Sequence, residues 1–304
     1  MTMAEVQIAV RNKPLSRLRL FLRKYLAAYL FIAVPVIWSL AFLFIPMIVS
    51  LVWSFMNYDG LHPAQFIGLK NYTDLLFHDS IFRHALTNTT LFVLLGMSIG
   101  PTLGLFTALL LNQKTRFQGF FRTAYFLPVM TSLVVVSTIW IMLYNRQGLL
   151  NTLLANLGLG PIGWLSDPKW SLFSIIIASV WQGFGFETVV FLAALQNIPK
   201  EYYEAAIIDG ANSRQALWYI TIPSLRSVIL FVYIYGIIGS YQVFDQVFVM
   251  TRGGPIYSTT TLVYYLFQKF QDLRLGYASA IAYILFIILV IFSFLQWRYF
   301  SEKD

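Results

Sequence analysis

Glu187 and Asp245 are carboxylic acids set within stretches of chain that are otherwise apolar. A carboxylate is costly at membrane depth, so such a group faces a cavity or a partner. Around Glu187 stand Trp181, Gln182, Phe184 and Phe186, and near Asp245 stand Tyr241 and Gln242. Aromatic faces beside a few polar groups suit a sugar, whose ring has an apolar face and a hydroxyl edge. Gln182, Glu187, Tyr241, Gln242 and Asp245 are therefore the candidate substrate path. Gln182 precedes Glu187 by about one and a half helical turns, so a shared face does not follow from spacing. The competing reading is hydrogen bonding between bundle helices, common for Gln and Tyr in membranes.

Bond-making chemistry finds little support. The chain has no cysteine, which removes disulfides, thiolate nucleophiles, iron–sulfur clusters and cysteine-ligated zinc. His62, His78 and His84 are separated by 16 and 6 residues, unlike a helical metal pair, and read as solvated loop residues. No Gly-x-x-x-x-Gly-Lys-Ser/Thr run exists to cradle a nucleotide phosphate. We expect no catalytic residue, no metal site and no ATP hydrolysis by this chain.

The elements that must position Glu187 and Asp245 follow from composition. Of 304 residues, 58% are hydrophobic and 11% charged. A soluble domain carries about 25% charged residues, so most of this surface faces lipid. Helices satisfy their own backbone groups there. Six segments reach the length needed to cross a bilayer: 26–55, 87–111, 124–144, 172–195, 228–250 and 277–297. Pro35 and Pro46 are expected to kink the first. With the N-terminus inside, fourteen Lys and Arg fall on the cytoplasmic side and seven outside. Both termini are therefore expected inside, and the net charge of +8 reflects this bias rather than nucleic-acid binding. The first 25 residues carry Arg11, Lys13, Arg17, Arg19, Arg23 and Lys24 ahead of an apolar run too long for a signal core. They read as a basic tail that fixes orientation, or as a helix lying on anionic lipid.

The outer segment 251–276 contains Gly253-Gly254-Pro255 and Thr259-Thr260-Thr261, followed by an apolar run over 262–270 that predicts a short surface helix. The cytoplasmic stretch 197–225 is more informative. It is longer and more polar than a hairpin needs. Pro199 can open a helix, with Glu201 suited to its positive end. Ala205 and Ala206 give that helix a small-residue face, and Asp209-Gly210 ends it. Asn212 with Gln215 makes a capping box for a second helix, which Pro223 is expected to end.

Glu204-Ala205-Ala206, Asp209-Gly210-Ala211 and Ile222-Pro223 resemble the EAA loop of permease subunits of binding-protein-dependent ABC importers. The likeness is greatest to the carbohydrate branch that includes the maltose and glycerol-3-phosphate permeases. Phe244-Asp245, Thr251 with Gly253-Gly254-Pro255, Gly276-Tyr277-Ala278-Ser279-Ala280, and Arg122 with Phe126-Leu127-Pro128 also match, so the resemblance covers most of residues 115–285 in order.

The resemblance implies an all-α membrane protein of the type I importer permease fold. Six transmembrane helices would carry a two-helix cytoplasmic coupling loop, about 199–223, between helices 4 and 5. Residues 1–25 would be a cytoplasmic segment and 26–304 the permease domain. It further implies a bacterial inner-membrane location and half of a path for a sugar, oligosaccharide or polyol. The implied partners are a second permease, two ATPase subunits that bind ATP and Mg, and an extracytoplasmic solute-binding protein; the chain itself would hold no cofactor. By position, Glu204, Ala205, Ala206, Asp209, Gly210 and Pro223 would couple to the ATPase. Glu187 departs from the family pattern. An ion-coupled secondary transporter is the rival reading, which buried acid–base relays or internal repeats would favour.

Overall fold

The computed structural model describes residues 14–113 and 118–301. Lys114, Arg116, Arg11, Lys13 and Lys303, used above in the charge count, lie outside the described residues. The chain divides into two compact units, Met1–Val52 and Trp53–Asp304.

In the first unit, α1 (Pro14–Ser39) passes through Pro35 as continuous helix. The backbone then widens into a π turn over Leu40–Phe44 and resumes as α2 (Ile45–Ser54), whose last two residues belong to the second unit. The π turn sits just ahead of Pro46. Proline lacks an N–H and its ring clashes with the carbonyl four residues back, and the wider register makes room for both. The helix starts at Pro14, so the second half of the basic segment is its first turns.

In the second unit, β1 (Met56–Asn57) and β2 (Gln65–Phe66) form a small antiparallel hairpin with Met56 opposite Phe66. The short α3 (Lys70–Thr73) and a π turn, Asp74–His78, lead into the 33-residue α4 (Ser80–Asn112). Next come α5 (Gln118–Met130), α6 (Leu133–Leu143), α7 (Leu149–Asn156) and α8 (Ser171–Gln196). The knob after α8 comprises α9 (Lys200–Ile208), α10 (Ser213–Ala216), a π turn over Leu217–Thr221 and α11 (Ile222–Ser224). Then follow α12 (Arg226–Tyr241), α13 (Asp245–Met250), α14 (Leu262–Gln271) and α15 (Leu275–Ser301).

Among the described residues, five helices are long and apolar enough to cross a membrane: Ala28–Ser54, Ser80–Asn112, Ser171–Gln196, Arg226–Met250 and Leu275–Arg298. The expected third crossing, 124–144, is present as a bent pair, Gly119–Met130 and Leu133–Leu143, meeting at 101°, and the pair taken as one span makes the sixth crossing. Thr131 N–H turns back to the Pro128 carbonyl at 3.2 Å, and Ser132 is extended and starts α6. Hydropathy cannot see this break, because the residues on both sides of it are apolar. Pro223 is a correction. The chain stays helical through Ile222–Ser224 and breaks at Leu225 instead. As at Pro46, a π turn precedes the proline by two residues and absorbs its ring.

Lipid is as apolar as leucine, so these helices gain from close packing and hydrogen bonds rather than from leaving water. One core cluster joins Phe82, Val93 and Met97 of α4 to Leu262, Tyr265, Ile281 and Leu285. A second joins Phe92 to Ile175, Ile176 and Val247. A third joins Ala108 and Leu111 to Phe191, Leu192, Leu195, Leu225 and Val232.

Polar groups lock the loop ahead of α14 onto α4. Asn88 Nδ2 donates to the Tyr257 and Thr260 carbonyls at 2.8 and 3.0 Å. Leu262 N–H donates to Thr89 Oγ1 at 2.9 Å, and Thr259, Thr260 and Thr261 are fully buried. The helix expected over 262–270 is present as α14.

Asp79 ties the same region together. Its Oδ1 accepts Phe82 N–H at 2.9 Å, capping α4, and its Oδ2 accepts the Tyr265 and Tyr277 hydroxyls at 2.6 Å each. Burial pushes this carboxyl up, but the two tyrosines and the backbone N–H groups of Phe82 and Ile81 together hold it below the ordinary carboxylate value. A depressed folded pKa stabilises above the unfolded value and is lost as pH falls through the folded one. Asp79→Ala should therefore cost roughly 2 kcal/mol or more at neutral pH. In thermal unfolding scans in detergent, the gap between wild type and variant should narrow as pH drops below about 4. A gap that does not depend on pH would contradict the role of the charge.

Candidate functional site

α4 and α8 share the most extensive helix–helix interface, and glycines allow it. A Cβ built on Gly104 would lie 2.7 Å from Glu187 Cβ and 3.2 Å from Thr188 N. One on Gly100 would lie 3.0 and 3.1 Å from the two Glu187 carboxyl oxygens. The carboxyl therefore rests against the backbone of α4. These glycines belong to Gly96-xxx-Gly100-xxx-Gly104, a small-residue spacing that marks close helix contact in membranes.

Glu187 also borders a cavity of about 430 Å³ between α8 and the α12–α13 break. That volume lies in the range of about 300–1,000 Å³ typical of small-molecule sites. Four of the five path candidates, Gln182, Glu187, Gln242 and Asp245, line it together. Gln182 and Glu187 share it despite their angular offset because the cavity wraps around α8. The fifth is elsewhere: Tyr241 is 3% exposed in the first core cluster, its ring 5.6 Å from that of Phe292. On α12, Tyr241 falls on the face toward α15, whereas Ser240 falls on the cavity side.

The cavity adds Ser179, Tyr235, Gly236 and Ser240, none of which stood out in the sequence. Phe186 and Tyr235 pack with ring centroids 5.3 Å apart at its edge. The fifth apolar crossing is interrupted here. α12 ends at Tyr241 and α13 begins at Asp245, so backbone as well as side chains border the space. Irregular backbone at membrane depth is tolerated where it lines a cavity. Among the described residues no cluster of His, Asp and Glu could hold a metal ion.

At the far end of α8 stands the polar knob. Asp209 N–H bonds to the Ala205 carbonyl, Gly210 N–H to Ile207 and Ala211 N–H to Ala206 at 2.8 Å, closing α9. Gly210 has φ +79°, the left-handed conformation that ends a helix most readily at glycine. The capping box is present: Gln215 N–H donates to Asn212 Oδ1 at 2.9 Å and Asn212 N–H to Gln215 Oε1 at 2.8 Å. Glu204, Ala205, Asp209, Gly210 and Pro223 are exposed, whereas Ala206 is half-buried in a groove toward Leu109 of α4. Tyr203 and Thr221 hydroxyls meet at 2.9 Å and tie α9 to the π turn. Leu225, fully buried, roots the knob in the third core cluster, with Ile198 packed against it.

Apolar crossings around a polar cavity, with an exposed two-helix knob on one of them, define a multi-pass membrane protein of the transport-permease class. Residues 100–303 match the family described as binding-protein-dependent transport system inner membrane component, and the chain belongs to that family. It is 40% identical over 265 residues to a probable ABC transporter permease of Pyrococcus horikoshii, covering 84% of this chain and 90% of that one. It is 38% identical over 283 residues to the lactose transport system permease LacF of Rhizobium radiobacter, covering 90% and 94%. In fold it is similar to a chain of the bacterial alginate ABC transporter solved in complex with alginate pentasaccharide-bound periplasmic protein. The TM-score there is 0.81 at 24% identity, over 92% and 96% of the two chains.

The tight α4–α8 seam gives a paired test. Gly104→Ala should cost about 1–3 kcal/mol by overpacking against Glu187 and Thr188. Gly96→Ala meets open space and should be neutral or stabilising by up to ~1 kcal/mol. Thermal unfolding in detergent distinguishes them; equal midpoints would contradict the close approach.

Proposed function

We propose that this chain forms half of the translocation path of an ATP-driven importer for a sugar, oligosaccharide or polyol. The observation that carries the reading is that α8 bears the polar cavity at its middle and the EAA-type knob at its end. A relative named for lactose transport and a fold neighbour named for alginate support a carbohydrate cargo. An aromatic and amide lining of Phe186, Tyr235, Gln182 and Gln242 suits such a cargo, and Glu187 and Asp245 complete the path.

In this reading a solute-binding protein delivers the cargo outside, and a second, paralogous permease supplies the other half of the path. Two ATPase subunits bind ATP and Mg on the cytoplasmic side, and the chain itself carries no cofactor and performs no catalytic step. Both termini and the knob face the cytoplasm, as the fourteen-to-seven distribution of basic residues favours. Glu204, Ala205, Ala206, Asp209, Gly210 and Pro223 couple to the ATPase. Glu204 has no ion-pair partner among the described residues and is exposed, so its carboxylate is available to a basic group or backbone donors of that subunit.

Glu204→Lys, or Gly210→Val with its strained φ, should lower transport-coupled ATP hydrolysis at least about ten-fold while the protein still inserts, the equivalent of ~1.4 kcal/mol or more of lost coupling. Uptake and ATPase assays on the reconstituted importer check this. Normal uptake with unchanged ATPase recovery would remove the coupling role.

A further inference from the structure

The cavity lining holds two carboxylic acids, Glu187 and Asp245, and no Lys, Arg or His. Neutral polar groups, among them Gln182, Ser179 and Ser240, make up the rest of its polar surface. Glu187 is the unusual member. Its Oε2 is buried and accepts no hydrogen bond, although carboxyls inside helix bundles ordinarily find a partner. The walls explain why none is present among the described residues. Both carboxyl oxygens lie against Gly100, which has no side chain, and Gly104 holds the Glu187 stem in place from the same helix. The arrangement positions an acid at the cavity with no basic group among the residues that line it.

We propose that Glu187 sets the charge selectivity of the path, admitting neutral and cationic sugars and rejecting anionic ones such as uronates and sugar phosphates. This rests on reading the cavity as the translocation path. Hydroxyl and ammonium groups donate to a carboxylate and form the stronger, charge-assisted class of hydrogen bond. A carboxylate or phosphate brought into the cavity meets the acids Glu187 and Asp245 with no basic group among the lining residues, in surroundings where repulsion between like charges is poorly screened. The cargo of this importer then differs in charge from the acidic polysaccharide named for its fold neighbour.

The absence of cysteine allows a direct test in the assembled importer. Ser240→Cys places one thiol at the cavity. With the ATPases held in the ATP-bound state, the thiol is reacted with a cationic trimethylammonioethyl methanethiosulfonate and with its anionic sulfonatoethyl counterpart. Modification is read on this chain by mass spectrometry, and rates are normalised to a free thiol. The cationic reagent should react about ten-fold faster or more, as focusing in a cleft of one charge sign predicts. Glu187→Gln should cut the ratio several-fold, with Asp245 left to set the remainder, and Glu187→Asp should keep most of it. A ratio near one in the native background would overturn the proposal, since a partner subunit would then neutralise the acid. So would a ratio unchanged by Glu187→Gln. If neither reagent reacts, the cavity is not a watered path and the broader reading falls with it.

Discussion

The structure depends on how closely α8 approaches α4. Two helices normally pack with side chains between their backbones, at about 8–10 Å between axes. At Gly100 and Gly104 the side chain is missing on one of them, and Glu187 and Thr188 fill the gap. In lipid there is little hydrophobic gain from joining two apolar helices, so dispersion contacts of this kind carry the association. The consequence is chemical as well as mechanical. The same glycines that let the helices close also leave the Glu187 carboxyl against bare backbone, beside a cavity, with no partner of its own.

From that seam α8 extends in two functional directions. Its middle forms the cavity wall and its last turn enters the third core cluster through Phe191, Leu192 and Leu195. Only Asn197, Ile198 and Pro199 separate it from α9, and Leu225 and Ile198 anchor the knob in that cluster. A force applied to the exposed face of α9 reaches the cavity through packed side chains rather than through a loose linker. The π turn over Leu217–Thr221 assists by letting the chain pass Pro223 without breaking. The knob is thus continuous with the segment leading to α12, which forms the opposite wall of the cavity.

Much of this was legible in the sequence, and for physical reasons. The apolar crossings were, because lipid transfer sums over some twenty residues and tolerates local error. The ends of α9 and the Asn212–Gln215 box were, because capping is settled within four residues. The likeness of residues 115–285 to importer permeases pointed to the family that residues 100–303 match. What depended on non-local geometry was not legible. The 101° bend after Met130 leaves hydropathy unchanged, and Pro223 reads as a terminator unless the π register before it is known. Tyr241 and Gln242 are neighbours, yet one lies in the core and the other at the cavity. Asp79 carries no local signal of its role, because Tyr265 and Tyr277 reach it from almost two hundred residues away. The glycine spacing at 96, 100 and 104 was in plain view and could have identified the seam.

The central claim is that α8 and α9 move as one body between the knob and the cavity. Spin labels on cysteines replacing Phe173, exposed on α8, and Tyr202, exposed on α9, measure it directly by pulsed dipolar spectroscopy of the assembled importer. The account predicts the same distance distribution with and without trapped ATP. A shift of a helical turn or more, about 5.4 Å, would show that the knob swings independently and would contradict it.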